Sequence, residues 1–496
     1  MNQPANTPAN STEDTSYYGV LRWLVLATFI VILNETIMVN AIPRLMEQFD
    51  VPETDAQWLS TAFMLTMAVV IPVTGWFLQR VTTRAAFMTA MVVFCAGTAL
   101  AAVAWSFPVL VAARIIQAGG TAVMMPLLMT TLMTVVPVEH RGRVMGNVTL
   151  AISVAPALGP TVSGVILEYA SWRWIFLIVL PIAALITYFA LRKLDNVGEP
   201  VAGPIDWISV PLAVIGFGSL VYGLSQMGAD AGQVVIEPWI AAVVGAVGVL
   251  LFVLRQLQLQ RGGAPLLDLR TLKHRLYTTC LALMAAAFMA MFGVMILLPL
   301  YLQNLRGVST LETGLLLMPG GIAMGLLGPT VGRLFDAYGG RVLVIPGSVV
   351  LVVAMFGFSR IGETTPLAMI PALHIALCVG LAFVFTPVFT IGLGALPMEL
   401  YSHGSSLLGT LQQLGGAAGT ALLVAVMTSR ASTLSAEGAT ENAASIGGME
   451  SAFTVAGVIS IAVLVLAFFV PGKSGGDSAD AVPVEATDDL AAQPAA

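Results

Sequence analysis

The sequence predicts an all-α polytopic membrane protein with fourteen transmembrane helices. Of its 496 residues, 57% are hydrophobic and only 10% are charged, whereas soluble proteins have about 25% charged residues. Apolar runs of about 20 residues or more, the length that crosses a hydrocarbon core, follow one another along the chain. These runs lack the alternation of apolar and polar residues that marks the strands of a membrane barrel.

The predicted helices form three blocks. Six helices are expected in an N-terminal bundle (20–193), two extra helices and linkers in 194–275, and six helices in a C-terminal bundle (276–471). Residues 1–19 form a tail, and 472–496, with acids among Ala, Pro and Gly, is expected to be disordered. The predicted spans are 20–43, 57–79, 85–105, 108–136, 143–168, 173–192, 206–226, 238–257, 276–303, 312–334, 341–359, 366–396, 403–428 and 450–471.

Most of the 21 Lys and Arg residues fall in the segments that lie on the same side as the N-terminus. Basic residues accumulate in cytoplasmic loops. With an even number of spans, both termini are therefore expected in the cytoplasm of a multi-pass protein of the bacterial inner membrane.

One acid, Glu35, lies within the first apolar run. A charge in hydrocarbon costs several kcal/mol, so an intramembrane acid indicates a functional site. Span 1 places Glu35 about 12 Å from the outer end, and span 4 places Arg114 about 9 Å from the same face. We expect the two charges at one level, where movement of Arg114 or entry of water would switch proton binding. The alternative is a static buried ion pair that orients two helices.

Two loops repeat one pattern, a glycine followed by a polar residue four positions later and an arginine nine positions later. The first follows span 2 and the second follows span 10. Two related halves are typical of a transporter whose bundles rock against each other. The residues expected to control this movement on the cytoplasmic side are Gly75, Arg80 and Arg84 in the first loop, and Gly332, Asp336, Gly339 and Arg341 in the second.

These loops resemble the cytoplasmic signature of the major facilitator superfamily. Arg114 and Gln117, followed by Ala-Gly-Gly, resemble the span-4 motif of the same superfamily. The segments Trp172–Leu177 and Gly307–Gly314 are typical of its fourteen-span drug:proton antiporters. The Asn34-Glu35-Thr variant of span 1 is similar to the lincomycin-resistance-type branch of multidrug exporters. The span-5 antiporter motif of that family is matched by Pro156, Gly159, Pro160 and Gly164.

The chain also departs from the family pattern. Asn34 stands at the usual Asp position, so the acid has moved by about 100° around the helix. Gln79 stands where Asp is usual in the first loop, and Thr82 where Gly is usual. The second loop keeps Asp336 and Gly339, so we expect the latch of the first half to be weaker than is usual in the family.

The resemblance implies proton-coupled efflux of lipophilic drugs or related amphipathic compounds. One alternative is a dedicated exporter of one endogenous lipid or metabolite, and another is a channel or sensor that does no coupled work. Expected partners are the substrate, protons and membrane lipids, and we expect a monomer that binds no nucleic acid. Candidate cavity residues are Asn34, Gln117, His374 and Gln413.

No enzyme activity, cofactor or metal site is expected. The sequence lacks His-Glu-x-x-His, and its cysteines (Cys95, Cys280 and Cys378) each lie in an apolar run. Gly472-Lys473-Ser474 resembles the end of a nucleotide-binding loop, but Ala467 replaces the first glycine of that motif. Energy is therefore expected to come from an ion gradient.

Overall fold

The structure is a computed structural model that describes residues 11–197, 200–201, 203–227, 236–262 and 265–472. The expected tails, 1–10 and 473–496, lie outside the described residues. Within these ranges the chain consists of helices and their connections, with no strand.

Fourteen principal helices correspond to the predicted spans. They are α1 Ser11–Ile37, α2 Trp58–Arg80, α3 Thr83–Ala102, α4 Phe107–Val135, α5 Arg141–Tyr169, α6 Arg173–Lys193, α7 Ser209–Ser225, α8 Pro238–Gly262, α9 Arg275–Leu300, α10 Thr310–Tyr338, α11 Arg341–Phe358, α12 Met369–Gly394, α13 Tyr401–Ala436 and α14 Glu441–Ala467. In the described part of the chain, thirteen helices are long and apolar enough to cross a membrane, and α7 is a shorter apolar helix. The predicted all-α membrane fold is confirmed.

Helix ends differ from the predicted spans mainly at α1, α13 and α14. The α-helical part of α1 begins at Ser11 and ends at Ile37, and a 3₁₀ turn, Met38–Ala41, completes the predicted span. Both α13 and α14 continue beyond their apolar stretches, and Thr440 caps the start of α14. Hydropathy marks the part of a helix suited to lipid, whereas good helix formers and a cap extend the helix into water.

Helices α1–α6 form one packed group and α9–α14 another, and the most extensive contact of all is between α5 and α10, one from each group. The two groups meet along α5 against α10, α2 against α13, α4 against α13 and α12 against α5. We call the end of the molecule that carries Arg80, Arg141 and Arg341 the basic end. The hydroxyl pairs between the groups lie in the half toward this end, with Thr130 2.7 Å from Ser405.

Small residues let α5 and α10 approach closely at the basic end. A Cβ on Gly142 would lie 2.7 Å from the carbonyl oxygen of Gly332, and one on Gly146 would lie 2.9 Å from Cα of Pro329. Close backbone approach at small residues is a common way to pack helices in membranes. The backbones of the two bundles are therefore in close contact at the basic end.

Candidate functional site

Glu35 lies on the inner face of α1. It follows Leu26, which is 41% exposed, by nine residues, and nine residues rotate a helix by about two and a half turns. Glu35 therefore points away from the lipid-facing side, yet its side chain is still partly exposed. Among the described residues it makes no hydrogen bond or ion pair.

Arg114 lies next to this acid and is 2% exposed. Its Nη1 atom donates to Gln117 Oε1 at 2.9 Å and to Asn34 Oδ1 at 3.5 Å. Its guanidinium carbon lies 4.2 Å from the centre of the Phe63 ring. Asn34, the neighbour of Glu35 on α1, therefore contacts Arg114 directly.

Neutral groups surround the buried arginine. Nε of Arg114 donates to the Leu59 carbonyl at 3.5 Å, and Gln117 in turn donates to Thr98 Oγ1 at 2.8 Å. Thr98 and Gln117 are fully buried. Among the described residues no acid forms a direct ion pair with Arg114, and Glu35 is the acid next in sequence to its partner Asn34. A buried cation whose counter-charge can be removed by one proton suits a site that changes its charge state.

The antiporter motif lies on α5 beside this site. A Cβ on Gly159 would lie 2.8 Å from Cβ of Thr36, the residue after Glu35. Gly164 faces Leu311 of α10, and Pro156 is partly exposed within α5. The side chain of Pro160 lies outside the described residues. The motif is therefore in position to set the distance between α1 and α5.

The other two cavity candidates lie apart from Glu35. His374 is on α12, packs on Gly320 of α10, and has Nε2 3.8 Å from Sγ of Cys378. Gln413 is partly exposed on α13, one turn beyond Gly409, which contacts Ile71 of α2. The structure brings Asn34, Gln117 and Arg114 together, but it does not bring His374 to them.

The second repeated loop joins the two bundles. The carboxylate of Asp336 accepts hydrogen bonds at 2.8 Å from the backbone N–H groups of Gly142 and Arg143, at the start of α5. An acidic side chain at a helix N-terminus satisfies free N–H groups and favours the helix dipole. Gly339 has φ of 83°, and Arg341 bonds to the carbonyl groups of Phe468 and Pro471.

The first loop makes a different contact. Nε2 of Gln79 donates to the carbonyl oxygen of Glu399 at 2.8 Å, in an exposed position. Arg80 bonds to Gln79 and lies over the Trp76 ring, while the side chain of Arg84 is exposed. In the first loop the uncharged amide of Gln79 thus donates one exposed hydrogen bond. At the equivalent position of the second loop the carboxylate of Asp336 accepts two hydrogen bonds.

Sequence reasoning missed several residues of the site. Phe63 and Leu59 hold the guanidinium from α2, and Thr98 holds Gln117 from α3. Phe and Leu are common in apolar helices, so the sequence does not distinguish Phe63 and Leu59 from their neighbours. Thr98 is a polar residue inside an apolar run, which is the one sequence feature that could have indicated this site. Among the described residues, no group of three or more His, Cys, Asp or Glu could hold a metal ion.

Two membrane-embedded helical bundles that meet face to face, with a partly exposed acid on the inner face of one helix, are typical of a membrane transporter. A family model described as the Major Facilitator Superfamily matches residues 24–420, and the chain belongs to this superfamily.

Curated relatives and a solved structure agree with this. The chain is 41% identical to the uncharacterized MFS-type transporter YcnB of Bacillus subtilis, over 90% of this chain and 93% of that protein. It is 37% identical to the lincomycin resistance protein LmrB of Bacillus subtilis, over 94% and 98% of the two chains. The human organic anion transporter MFSD10 has the same fold, with TM-score 0.65 and 15% identity over 91% of this chain and 99% of that chain.

Proposed function

We propose that this protein is a proton-coupled exporter of lipophilic drugs or related amphipathic compounds in the bacterial cytoplasmic membrane, with the basic end in the cytoplasm. The observation that carries the proposal is the position of Glu35. Its side chain is partly exposed on the inner face of α1 and lies beside the buried Arg114, without a hydrogen bond or ion pair among the described residues.

The proposed cycle uses competing effects on one acid. Removal from water favours a neutral carboxyl group, whereas a nearby guanidinium favours a carboxylate. When the end opposite the basic end is open, Glu35 meets water and takes up a proton as substrate leaves. The bundles then rock, Glu35 releases the proton toward the basic end, and new substrate binds between the bundles. Arg114 and Gln117 adjust the balance by moving relative to α1.

The closed basic end supports the first step of this cycle. Glu35 lies two residues before the end of the α-helical part of α1, in the half away from the basic end. The hydroxyl pair of Thr149 and Thr386, 2.9 Å apart, holds the bundles together in the other half. The contacts at the basic end therefore do not lie between Glu35 and the opposite side, although Thr161 and Met318 also link α5 and α10 in that half.

The substrate class rests on the relatives. The name lincomycin resistance protein, carried by a relative that is 37% identical over nearly the whole chain, favours a drug or another amphipathic compound. A dedicated exporter of one endogenous lipid or metabolite would use the same scaffold. A panel of substrates separates the two, because transport of one compound alone would favour the dedicated exporter.

Proton release from purified protein tests the role of Glu35. We expect addition of a transported drug to weakly buffered protein to release protons from wild type and not from Glu35→Gln. Glu450→Gln is the matched control, since Glu450 is a partly exposed acid on α14. Equal release from wild type and Glu35→Gln would remove Glu35 from the mechanism. Transport into proteoliposomes that persists after collapse of the pH gradient would contradict proton coupling.

A further inference from the structure

The chain between α8 and α9 is anchored to the two extra helices. We call its residues 265–274 the strap. Oε1 of Gln256, a fully buried side chain on α8, accepts hydrogen bonds from the backbone N–H groups of Leu266 at 2.8 Å and Leu267 at 3.2 Å. Nε2 of Gln256 donates to Oγ of Ser209 on α7 at 2.7 Å. One buried amide therefore fixes the strap to both extra helices.

The strap reaches α13 through one hydrogen bond. The backbone N–H of Asp268 donates to Nδ1 of His403 at 3.2 Å, and both residues are buried. Because Nδ1 accepts, the ring proton of a neutral His403 lies on Nε2. Arg270 holds the Asp268 carboxylate with bonds of 2.8 and 2.5 Å. Burial raises the pKa of Asp268, but the bonds from Arg270 outweigh it and leave the pKa below its ordinary value.

His403 lies where α13 meets α2. A Cβ on Gly75 would lie 2.7 Å from Nδ1 and 3.2 Å from Cα of His403. One turn along α13, Oγ of Ser406 lies 3.3 Å from Oγ1 of Thr74 and also donates to the Ile71 carbonyl. His403, which accepts the hydrogen bond from the strap, is thus part of the contact between the two bundles.

The extra helices are tied to α2 as well, so the contacts form a ring at the basic end. The N–H of Val201 donates to the Gln79 carbonyl at 2.8 Å, and Nε1 of Trp76 donates to the Pro204 carbonyl at 3.3 Å. Asp206, two residues later, pairs with Arg255 of α8 at 2.9 Å. The ring runs from α2 through this loop, the extra helices and the strap to His403, and back to α2.

We propose that the strap holds the basic end closed, and that His403 is the positioning residue through which it keeps α13 against α2. For the basic end to open, α13 must move away from α2. The hydrogen bond of the ring that breaks in this movement is the one between Asp268 and His403. The two extra helices therefore stabilise one conformation of the transport cycle. The inference rests on the chain being a rocking-bundle transporter and not on proton binding at Glu35.

A distance measurement across the basic end tests the strap. Spin labels at Glu139 and Val342, exposed residues at the basic ends of the two bundles, report closed and open populations by double electron–electron resonance. The full chain is used in phospholipid nanodiscs, with its three cysteines replaced by alanine. His403→Leu removes the acceptor and is expected to lower the closed-to-open ratio about five- to tenfold, which is the net worth of one buried hydrogen bond. His403→Asn places Oδ1 near the position of Nδ1 and is expected to stay within about twofold of wild type.

A second variant keeps the test decisive if His403→Leu does not fold. Gln256→Leu frees the strap from α8 without changing the contact between α13 and α2, and it is expected to shift the ratio in the same direction. Wild-type ratios in His403→Leu and Gln256→Leu would overturn the proposal. So would an equal shift in His403→Asn and His403→Leu, because ring packing rather than the hydrogen bond would then be responsible. No substrate or pH gradient enters this measurement, so its result is independent of the role of Glu35.

Discussion

Gly159 lies directly against Thr36, so closely that a Cβ on the glycine would come within 2.8 Å of the Thr36 Cβ. Thr36 follows Glu35 on α1, and its hydroxyl donates back to the carbonyls of Ile32 and Leu33. The hydroxyl is thereby fixed in the contact. The glycine of the antiporter motif therefore determines how close the acid-bearing helix comes to α5.

Replacing this glycine is expected to displace Glu35. Gly159→Ala forces α1 and α5 apart, because the Thr36 atoms it meets belong to a short, branched side chain that cannot move away. We expect transport to fall at least tenfold while the protein still inserts and folds, measured as drug efflux at matched expression. Gly164→Ala is the control, since its nearest neighbour would be 3.9 Å away, and it is expected to retain near wild-type efflux. Equal efflux from both variants would show that the contact has no functional role.

Arg114 is expected to need its guanidinium and not only its charge. Its Nη1 donates hydrogen bonds to Gln117 and Asn34, and its Nε donates to the Leu59 carbonyl. A lysine ammonium is a compact charge that cannot reproduce this fork over the Phe63 ring. Arg114→Lys is therefore expected to lower pH-driven transport at least tenfold, whereas Arg360→Lys, at an exposed site, leaves it unchanged. Full activity of Arg114→Lys in proteoliposomes would show that the positive charge alone, without the guanidinium geometry, is sufficient for transport.

Helix rise and hydropathy predict that Glu35 and Arg114 share one level, because both depend only on position along a helix. They could not give the rotation of side chains around each helix. Asn34, at the usual position of the family's acid, takes the contact with Arg114, and Phe63 approaches from a helix about fifty residues away in sequence. His374 was a candidate because it is polar and lies at a suitable depth, but its packing on Gly320 within the C-terminal group depends on the tertiary fold.

The same limit applies to the strap. Gln256 gave no motif, and its role comes from the fold that places Leu266 and Ser209 around it. The glycine-rich motifs were easier to interpret, since close approach of helices is the common physical reason for a glycine inside an apolar run.

The two repeated loops are expected to contribute unequally to closing the basic end. Asp336→Asn removes the charge at the start of α5 and leaves one oxygen for two N–H groups, which costs about 1–2 kcal/mol. Gln79→Ala removes one exposed bond to Glu399. With the labels at the basic end described above, we expect the closed-to-open ratio to fall about tenfold for Asp336→Asn and less than threefold for Gln79→Ala. The reverse order would show that the amide of the first loop is the stronger latch.

The pair formed by Asp206 and Arg255 is expected to make the stability of the extra helices depend on pH. Hydrogen bonds from Arg255, together with those from Ser209, lower the pKa of Asp206 from its ordinary value of 3.8 to about 2. A carboxyl group whose pKa is lowered by folding contributes stability above its ordinary pKa, and this contribution is lost as the pH falls through the folded value. Asp206→Asn removes the contribution at every pH, so wild type and variant differ most above pH of about 5.

Thermal unfolding of both proteins in detergent between pH 7 and pH 2 measures this difference. Because the pair is only partly shielded from solvent, we expect the difference in Tm to be small, about 2 °C or less in a protein of this size. The two Tm values should converge as the pH approaches 2, since wild-type Asp206 then becomes neutral like the amide. A difference that stays constant down to pH 2 would mean that the geometry of the Ser209 cap, and not the charge of Asp206, stabilises the junction between α7 and α8.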